Sequence, residues 1–479
     1  MLSRIRIPKV IQNSTLYSVA SFLQKGIGFF LIPLYTAFLT PDDYGVLNLL
    51  TSIMGFLSIL FMFSLHGAAS RFHYSVSNTH EQKTLWGTII IMVIGNSIVL
   101  TVVCIVLHRW LIDPFTEGVP FWRFTIISLL CVLLNPLYLL YQQWLQITEQ
   151  GRRYTINMLL NWLTVTTLNI LTVAVFKWGV LGMLVSTLVV NLIFFVYSLF
   201  AFAPKVDFSF DKGIARQSLS YSAPLIPHSV SGYLSVMADR ILLNKFASLD
   251  QLGLYGVASQ FGTILSTITS SINQAFTPWF FREASKDSFD NTKMNYFMEG
   301  SVAVCSLIAL VLVLFSPEAI RIMTSTGYHQ AWQPIIFISF GFVLNGIYFF
   351  FSQPLFFFKP QFVIIVSITQ LIINLCLNII LIPKYGYMGA GGAFIFSQLA
   401  STIVSLYLSF NCSKVIRFNW GRVYIVFLVF LLLSMSVFYV ERVDGILIRL
   451  AIKLFLSLIV SIIVFSRYYK IVKALKYIK

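Results

Sequence analysis

A few polar side chains recur at helical spacing inside the long apolar runs of this 479-residue chain. Lys25 stands near the middle of the first run. At about 100° per residue, Ser14, Ser18, Ser21, Lys25 and Thr36 fall within a stripe about 60° wide. In the seventh run His228, Gly232, Ser235 and Asp239 share one face, spaced by the same steps that separate Ser14 from Lys25. A charge at mid-bilayer costs on the order of 3 kcal/mol, so each needs a compensating role. A polar stripe on each of two helices is what a water-filled cleft requires, and Lys25 in it would be a cationic site for an anion. Ser18, Ser21 and Ser235 are cleft candidates on the same grounds. Asp239 and Arg240 are neighbours and point about 100° apart, so one faces the cleft while the other pairs with a nearby helix. Alternatively, both anchor the outer end of their span. Arg71 closes the second run after Gly67, Ala68 and Ala69, where it meets an anion at the cleft mouth or merely sets topology. His66 and His228 could titrate; a hydrogen-bonded structural role suits His66 better, and Asp239 with His228 are the candidate proton carriers.

The elements that must hold these residues follow from composition. Hydrophobic residues make up 58% of the chain, charged residues 10%, and the mean hydropathy is +0.83. A soluble chain carries about 25% charged residues, so this one is an all-α integral membrane protein. Runs of roughly 20 apolar residues number about fourteen, from about 14–39 and 45–66 to about 423–440 and 445–466. The first is too long, and too polar at Lys25, for a cleavable signal. With the amino terminus placed in the cytoplasm, 22 of the 33 Lys and Arg residues lie in breaks on that side and 7 on the other, which leaves 4 within spans. Most of the net charge of +16 is therefore topogenic, and both termini are expected to be cytoplasmic. The basic tail with Tyr468, Tyr469 and Tyr477 is either a surface helix on anionic headgroups or a solvated topogenic end.

The chain repeats at an offset near 208. LTPDDYGVLNLL around Gly45 corresponds to ASLDQLGLYGVA around Gly253, and the turn ending at Gly182 corresponds to the one ending at Gly389. The expected organisation is a six-helix bundle over 1–203 and a second over 204–411, pseudo-symmetric about a central cleft. Two additional helices and the basic tail fill 412–479. Six spans per half relate the halves by an axis along the membrane normal. Five cysteines show no metal spacing or disulfide framework. GYMGAGGA (386–393) lacks GxxxxGK[ST] and reads as close helix packing, so neither a nucleotide site nor any cofactor is expected.

APLIPHSVSGYLSVMADRILLNKFASLDQLGLYGVA, from Ala223 to Ala258, resembles the seventh-and-eighth-span signature of Wzx-type polysaccharide repeat-unit flippases. These belong to the multidrug/oligolipid/polysaccharide (MOP) exporter superfamily. The opening NSTLYSVASFLQKGIGFFLIPLYTAFLTPDDYGVLNLL and the GAASRFHY run through Arg71 are similar to the same family. The resemblance implies a transporter rather than an enzyme, in a bacterial cytoplasmic (inner) membrane. It would carry polyprenyl-pyrophosphate-linked oligosaccharides, such as O-antigen, lipopolysaccharide or capsule precursors, by alternating access. Membrane lipids and the polysaccharide polymerase machinery are the further implied partners, with no nucleic acid and no nucleotide. In related lipid II flippases the added helix pair forms a groove for the lipid tail. Arg449 and Lys453, four apart on the last span, line such a groove or contact lipid phosphates. The alternatives are a cation-coupled multidrug exporter, for which only Asp239 would serve as a membrane acid, and a membrane polysaccharide polymerase, for which no catalytic loop is evident.

Overall fold

The computed structural model describes residues 28–73, 76, 78–286, 289–412 and 416–476, together with the single positions 16, 20, 23, 24 and 26. Lys25, Ser18 and Ser21 lie outside the described residues. Among those described, every regular element is helical. Among the described residues, eleven helices are long and apolar enough to cross a membrane. The other three expected spans differ for identifiable reasons. The first is described as a helix only over Gly28–Phe38. The seventh carries Asp239, Arg240 and Lys245, and the eighth is rich in Ser, Thr, Gln and Asn; both fall short on apolarity.

The chain divides into two compact units, Met1–Gly253 and Leu254–Lys479. In the first unit α1 (Ile32–Phe38) leads into α2 (Pro41–Met62), which a Thr40–Asp43 capping box starts, with Pro41 in the first turn. α3 (Leu65–His73) and α4 (Thr79–Val106) follow. Then come α5 (Ile126–Ile147), α6 (Gly151–Ile170) and α7 (Gly179–Phe202). Trp86, Ile89, Ile90 and Val93 of α4 interlock with Leu137, Leu140, Tyr141 and Leu145 of α5 and Phe202 of α7 in a buried core. The linker after α7 is laced to α4. The Asp207 amide donates to the Lys83 carbonyl at 3.1 Å, and Thr88 Oγ1 donates to the Ser209 carbonyl at 3.2 Å.

The expected span at 217–243 is broken. α8 (Lys212–Ser222) stops at a tight turn over Ala223–Leu225, and α9 (Ile226–Phe246) restarts with Pro227 in its first turn. Pro224 and Pro227 have no amide hydrogen, so neither can donate into a continuous helix. α9 packs along α2. At the far end, the start of α10 (Leu249–Ala284) crosses the start of α2 backbone to backbone. A Cβ at Gly45 would collide with the Leu249 carbonyl oxygen, and one at Gly253 with the Pro41 carbonyl oxygen. The two glycines that the repeat equates therefore meet. Gly45→Ala is expected to destabilise the fold more than an ordinary helix Gly→Ala change, because backbone must move. The check is the thermal unfolding temperature of purified protein; a value equal to that of the parent would show that the crossing yields freely.

The second unit continues with α11 (Asn291–Met323), α12 (Ile335–Phe358), α13 (Gln361–Tyr385), α14 (Tyr387–Cys412), α15 (Trp420–Met435) and α16 (Ile446–Lys476). α14 packs against both α12 and α13. Its buried Gly389, Ala390, Gly391, Gly392 and Ala393 allow the close approach read from GYMGAGGA.

Candidate functional site

The expected second span, 45–66, ends early. After Met62 the chain turns through Phe63 (φ 51°) and Ser64 (φ 53°), both left-handed, before α3 begins. Neither is glycine, and such residues each cost ~1–2 kcal/mol. The surroundings hold the break. Asn96 of α4 donates its side-chain amide to the carbonyls of Leu60 (2.9 Å) and Phe61 (2.8 Å), which the interrupted helix leaves without amide partners. Ser222 Oγ donates to the Ser64 carbonyl at 3.2 Å. Asn96→Leu would leave those two carbonyls unpaired inside an apolar bundle, at roughly 1–3 kcal/mol each. A clear fall in unfolding temperature is expected, and an unchanged one would show that the break needs no brace.

The break turns Ser64 and His66 toward a cavity of about 330 Å³. Its opposite wall is α5, which contributes Gln142, Gln143 and Gln146. Ser58 of α2, Tyr154 of α6 and Ser229 of α9 complete the polar lining. Gln142 is 7% exposed and orders its surroundings: its Nε2 donates to the Tyr138 hydroxyl (2.6 Å), which donates to the Asn157 carbonyl (3.3 Å). Gln142 Oε1 has no hydrogen-bond partner among the described residues. Gln143 Nε2 donates to Ser70 Oγ at 2.8 Å, which ties α5 to α3.

At the other end of α3 lies an open recess of about 560 Å³, lined by Arg71 and Phe72 and by Arg216, Gln217, Ser220 and Tyr221 of α8. Arg71 stands over the Tyr221 ring, 4.7 Å from its centroid, and Phe72 meets the same ring edge-on. Both guanidinium groups are exposed. Two forked donors on one recess can take a phosphate bidentately. Behind them Trp86 Nε1 donates to His73 Nδ1 at 3.2 Å. Burial pushes the His73 ring below the usual imidazole range, which keeps it neutral and able to accept.

Among the described residues, Asp239, Arg240, Ser235, Arg449 and Lys453 do not line either of these two spaces. Asp239 is buried at 4% exposure and Arg240 is half-buried; both interact within the protein. Ser235 is half-buried on the same helix. His228 falls on α9, but its side chain is outside the described residues. Lys453 and Arg449, expected at a lipid groove, sit instead in a knot of charge. Lys453 is 0% exposed and donates to both oxygens of Glu318 (2.7 and 2.8 Å) and to Glu441 (2.6 Å). Arg449 and Arg321 reach the second Glu441 oxygen at 3.1 and 2.8 Å. Two of the cations placed inside the membrane are thus balanced by carboxylates. The glutamine wall and Arg216 are not among the residues that the sequence singles out; the signal for the former is Gln142, Gln143 and Gln146 interrupting an otherwise apolar run.

The sequence model of the family described as Polysaccharide biosynthesis protein matches residues 10–284. An Lsg locus protein of Haemophilus influenzae is 25% identical over 290 residues, 57% of this chain and 66% of that protein. A Haloferax volcanii relative, "Probable low-salt glycan biosynthesis flippase Agl15", is 24% identical over 217 residues, 44% of this chain and 45% of its own length. The matches thus span just under two thirds of the first relative and less than half of the second. Among solved structures, lipid II flippase MurJ in an inward closed conformation has a TM-score of 0.77 at 16% identity, covering 95% of this chain and 99% of that one. An inward-facing MATE family multidrug transporter of the MOP superfamily has a TM-score of 0.62 at 12% identity, covering 86% and 98%. At such identities the likeness is one of fold.

Proposed function

The chain belongs to the polysaccharide biosynthesis protein family, and from that premise we propose that it is a flippase for polyprenyl-pyrophosphate-linked oligosaccharide repeat units. The cargo class is that of O-antigen, capsule or similar precursors, moved across a bacterial cytoplasmic membrane with both termini in the cytoplasm. One observation carries the reading: a recess bearing Arg71 and Arg216 adjoins the helix that also walls an uncharged polar cavity, within an otherwise apolar bundle. Such a cargo keeps its polyprenyl tail in lipid, while its pyrophosphate and sugars need a cationic foothold and a hydrated path. A relative's name as a glycan biosynthesis flippase and the MurJ-like fold support it.

In this proposal the sugar path continues past Lys25, Ser18, Ser21, Ser235 and Arg240, and the product passes to polysaccharide polymerase machinery. The test is a leaflet-accessibility assay in proteoliposomes, using a polyprenyl-pyrophosphate oligosaccharide whose sugars an impermeant glycosidase cleaves. Protein-dependent movement of the sugars out of the protected leaflet is expected. Equal protection with and without protein would dismiss the reading.

Asp239 and His228 are the proposed proton carriers. Asp239→Asn should abolish any dependence of transport on an imposed pH gradient, and dependence equal to that of the parent would remove the coupling role.

A further inference from the structure

We propose that the cavity between α2, α3 and α5 is a subsite for the uncharged sugars of the cargo, chemically distinct from the anion-binding recess at Arg71 and Arg216. The proposal rests on the flippase reading and assigns the two parts of one head group to two places.

None of the polar side chains lining the cavity carries a permanent charge. An ionised group entering it would lose hydration without a compensating ion. Neutral hydroxyl groups face no such penalty. Gln146 carries a carbonyl that accepts and an amide that donates, and Gln143, whose amide is engaged by Ser70, adds a second carbonyl; the pattern matches a hydroxyl that both donates and accepts. Ser58, Ser64 and Ser229 add groups that can take either role. Gln142 itself is more than nine-tenths buried, and its amide, committed to Tyr138, holds the glutamine wall in place. Met62 and Leu139 offer apolar surface beside these groups, as the C–H face of a sugar ring requires. At about 330 Å³ the cavity is near the lower end of the ~300–1,000 Å³ found for small-ligand sites, so it takes one or two sugar rings rather than a whole repeat unit.

The geometry also explains the break in the second span. A continuous helix would carry its backbone carbonyls sealed against their own amides. The turn at Phe63–Ser64 instead presents a hydroxyl and, two residues on, the His66 ring to the space opposite the glutamines. Irregular backbone at membrane depth is tolerated where it lines a cavity.

The test uses the full chain, purified in detergent and titrated calorimetrically. The probes are a panel of neutral trisaccharides of hexoses and N-acetylhexosamines, their uronate-containing counterparts, and inorganic pyrophosphate. At least one neutral trisaccharide should bind, and its uronate counterpart should bind more weakly. Gln146→Leu, which removes an amide, and Ser58→Phe, which fills the space, should each weaken the neutral probe about tenfold and leave pyrophosphate binding unchanged. Arg71→Ala with Arg216→Ala should do the reverse. The proposal is overturned if no neutral probe binds, if both cavity variants, folded by gel filtration, bind it as the parent does, or if pyrophosphate displaces it. Failure of the flippase reading looks different: cavity-dependent sugar binding would persist while proteoliposomes move no lipid-linked oligosaccharide.

Discussion

Replacing Arg71 and Arg216 together by alanine is expected to slow transport of lipid-linked oligosaccharide about thirtyfold. A charge-assisted hydrogen bond to phosphate contributes roughly 1.5–3 kcal/mol in favourable settings. Both guanidinium groups are exposed, so about 1 kcal/mol from each is the appropriate discount. About 2 kcal/mol in sum corresponds to the thirtyfold figure. The paired lysine substitutions should recover only part of the rate, since an ammonium cannot match the planar fork that grips two phosphate oxygens. Tyr221→Leu should fall between, because the ring orients Arg71 but carries no charge. Parental transport in the double alanine variant would remove the recess from the site.

Lys453→Met is expected to be the most damaging single substitution in the second unit, costing about 3–5 kcal/mol as the loss of one partner from a buried ion pair. It leaves Glu318 and Glu441 deprived of the ammonium that binds both, with Glu441 still engaged by Arg449 and Arg321. Adding Glu318→Gln should restore much of the unfolding temperature; a double variant no better than the single one would sink this account. The pH dependence has a definite sign. Desolvation raises the Glu441 carboxyl, but its bonds to Lys453 and the nearby arginines outweigh that and hold it below the usual carboxylate range. A depressed pKa stabilises at neutral pH and is lost only as pH falls through the ordinary range near ~4.3 and below. The unfolding temperature should therefore hold to about pH 5 and decline beneath it. Glu441→Gln should lower the plateau and flatten the decline.

What could be read from the chain was whatever depends on periodicity or on local bias. The long apolar runs and the packing role of Gly389 to Ala393 are properties of contiguous residues. The chemistry of the site was harder to read because its determinants are distant in sequence. Nothing at Phe63 or Ser64 announces a break; the donor that stabilises it, Asn96, comes more than thirty residues later. Arg216 looks like one more topogenic cation until α8 brings it to the recess that Arg71 lines. Lys453 looks like a free cation in a span because its counterion Glu318 precedes it by 135 residues. Charge summed along a chain cannot show which charges cancel in space.

The meeting of Gly45 with the start of α10 has an evolutionary corollary. Most tight contacts between helices can be renegotiated, since a larger side chain on one partner is answered by a smaller one opposite. Here the obstructing atoms at each glycine are main-chain carbonyls, which no substitution can trim. Neither position can therefore be rescued by a second-site change at the other. Variants at either should resist recovery by suppressor selection, while the cavity, walled by side chains, is open to compensated substitution.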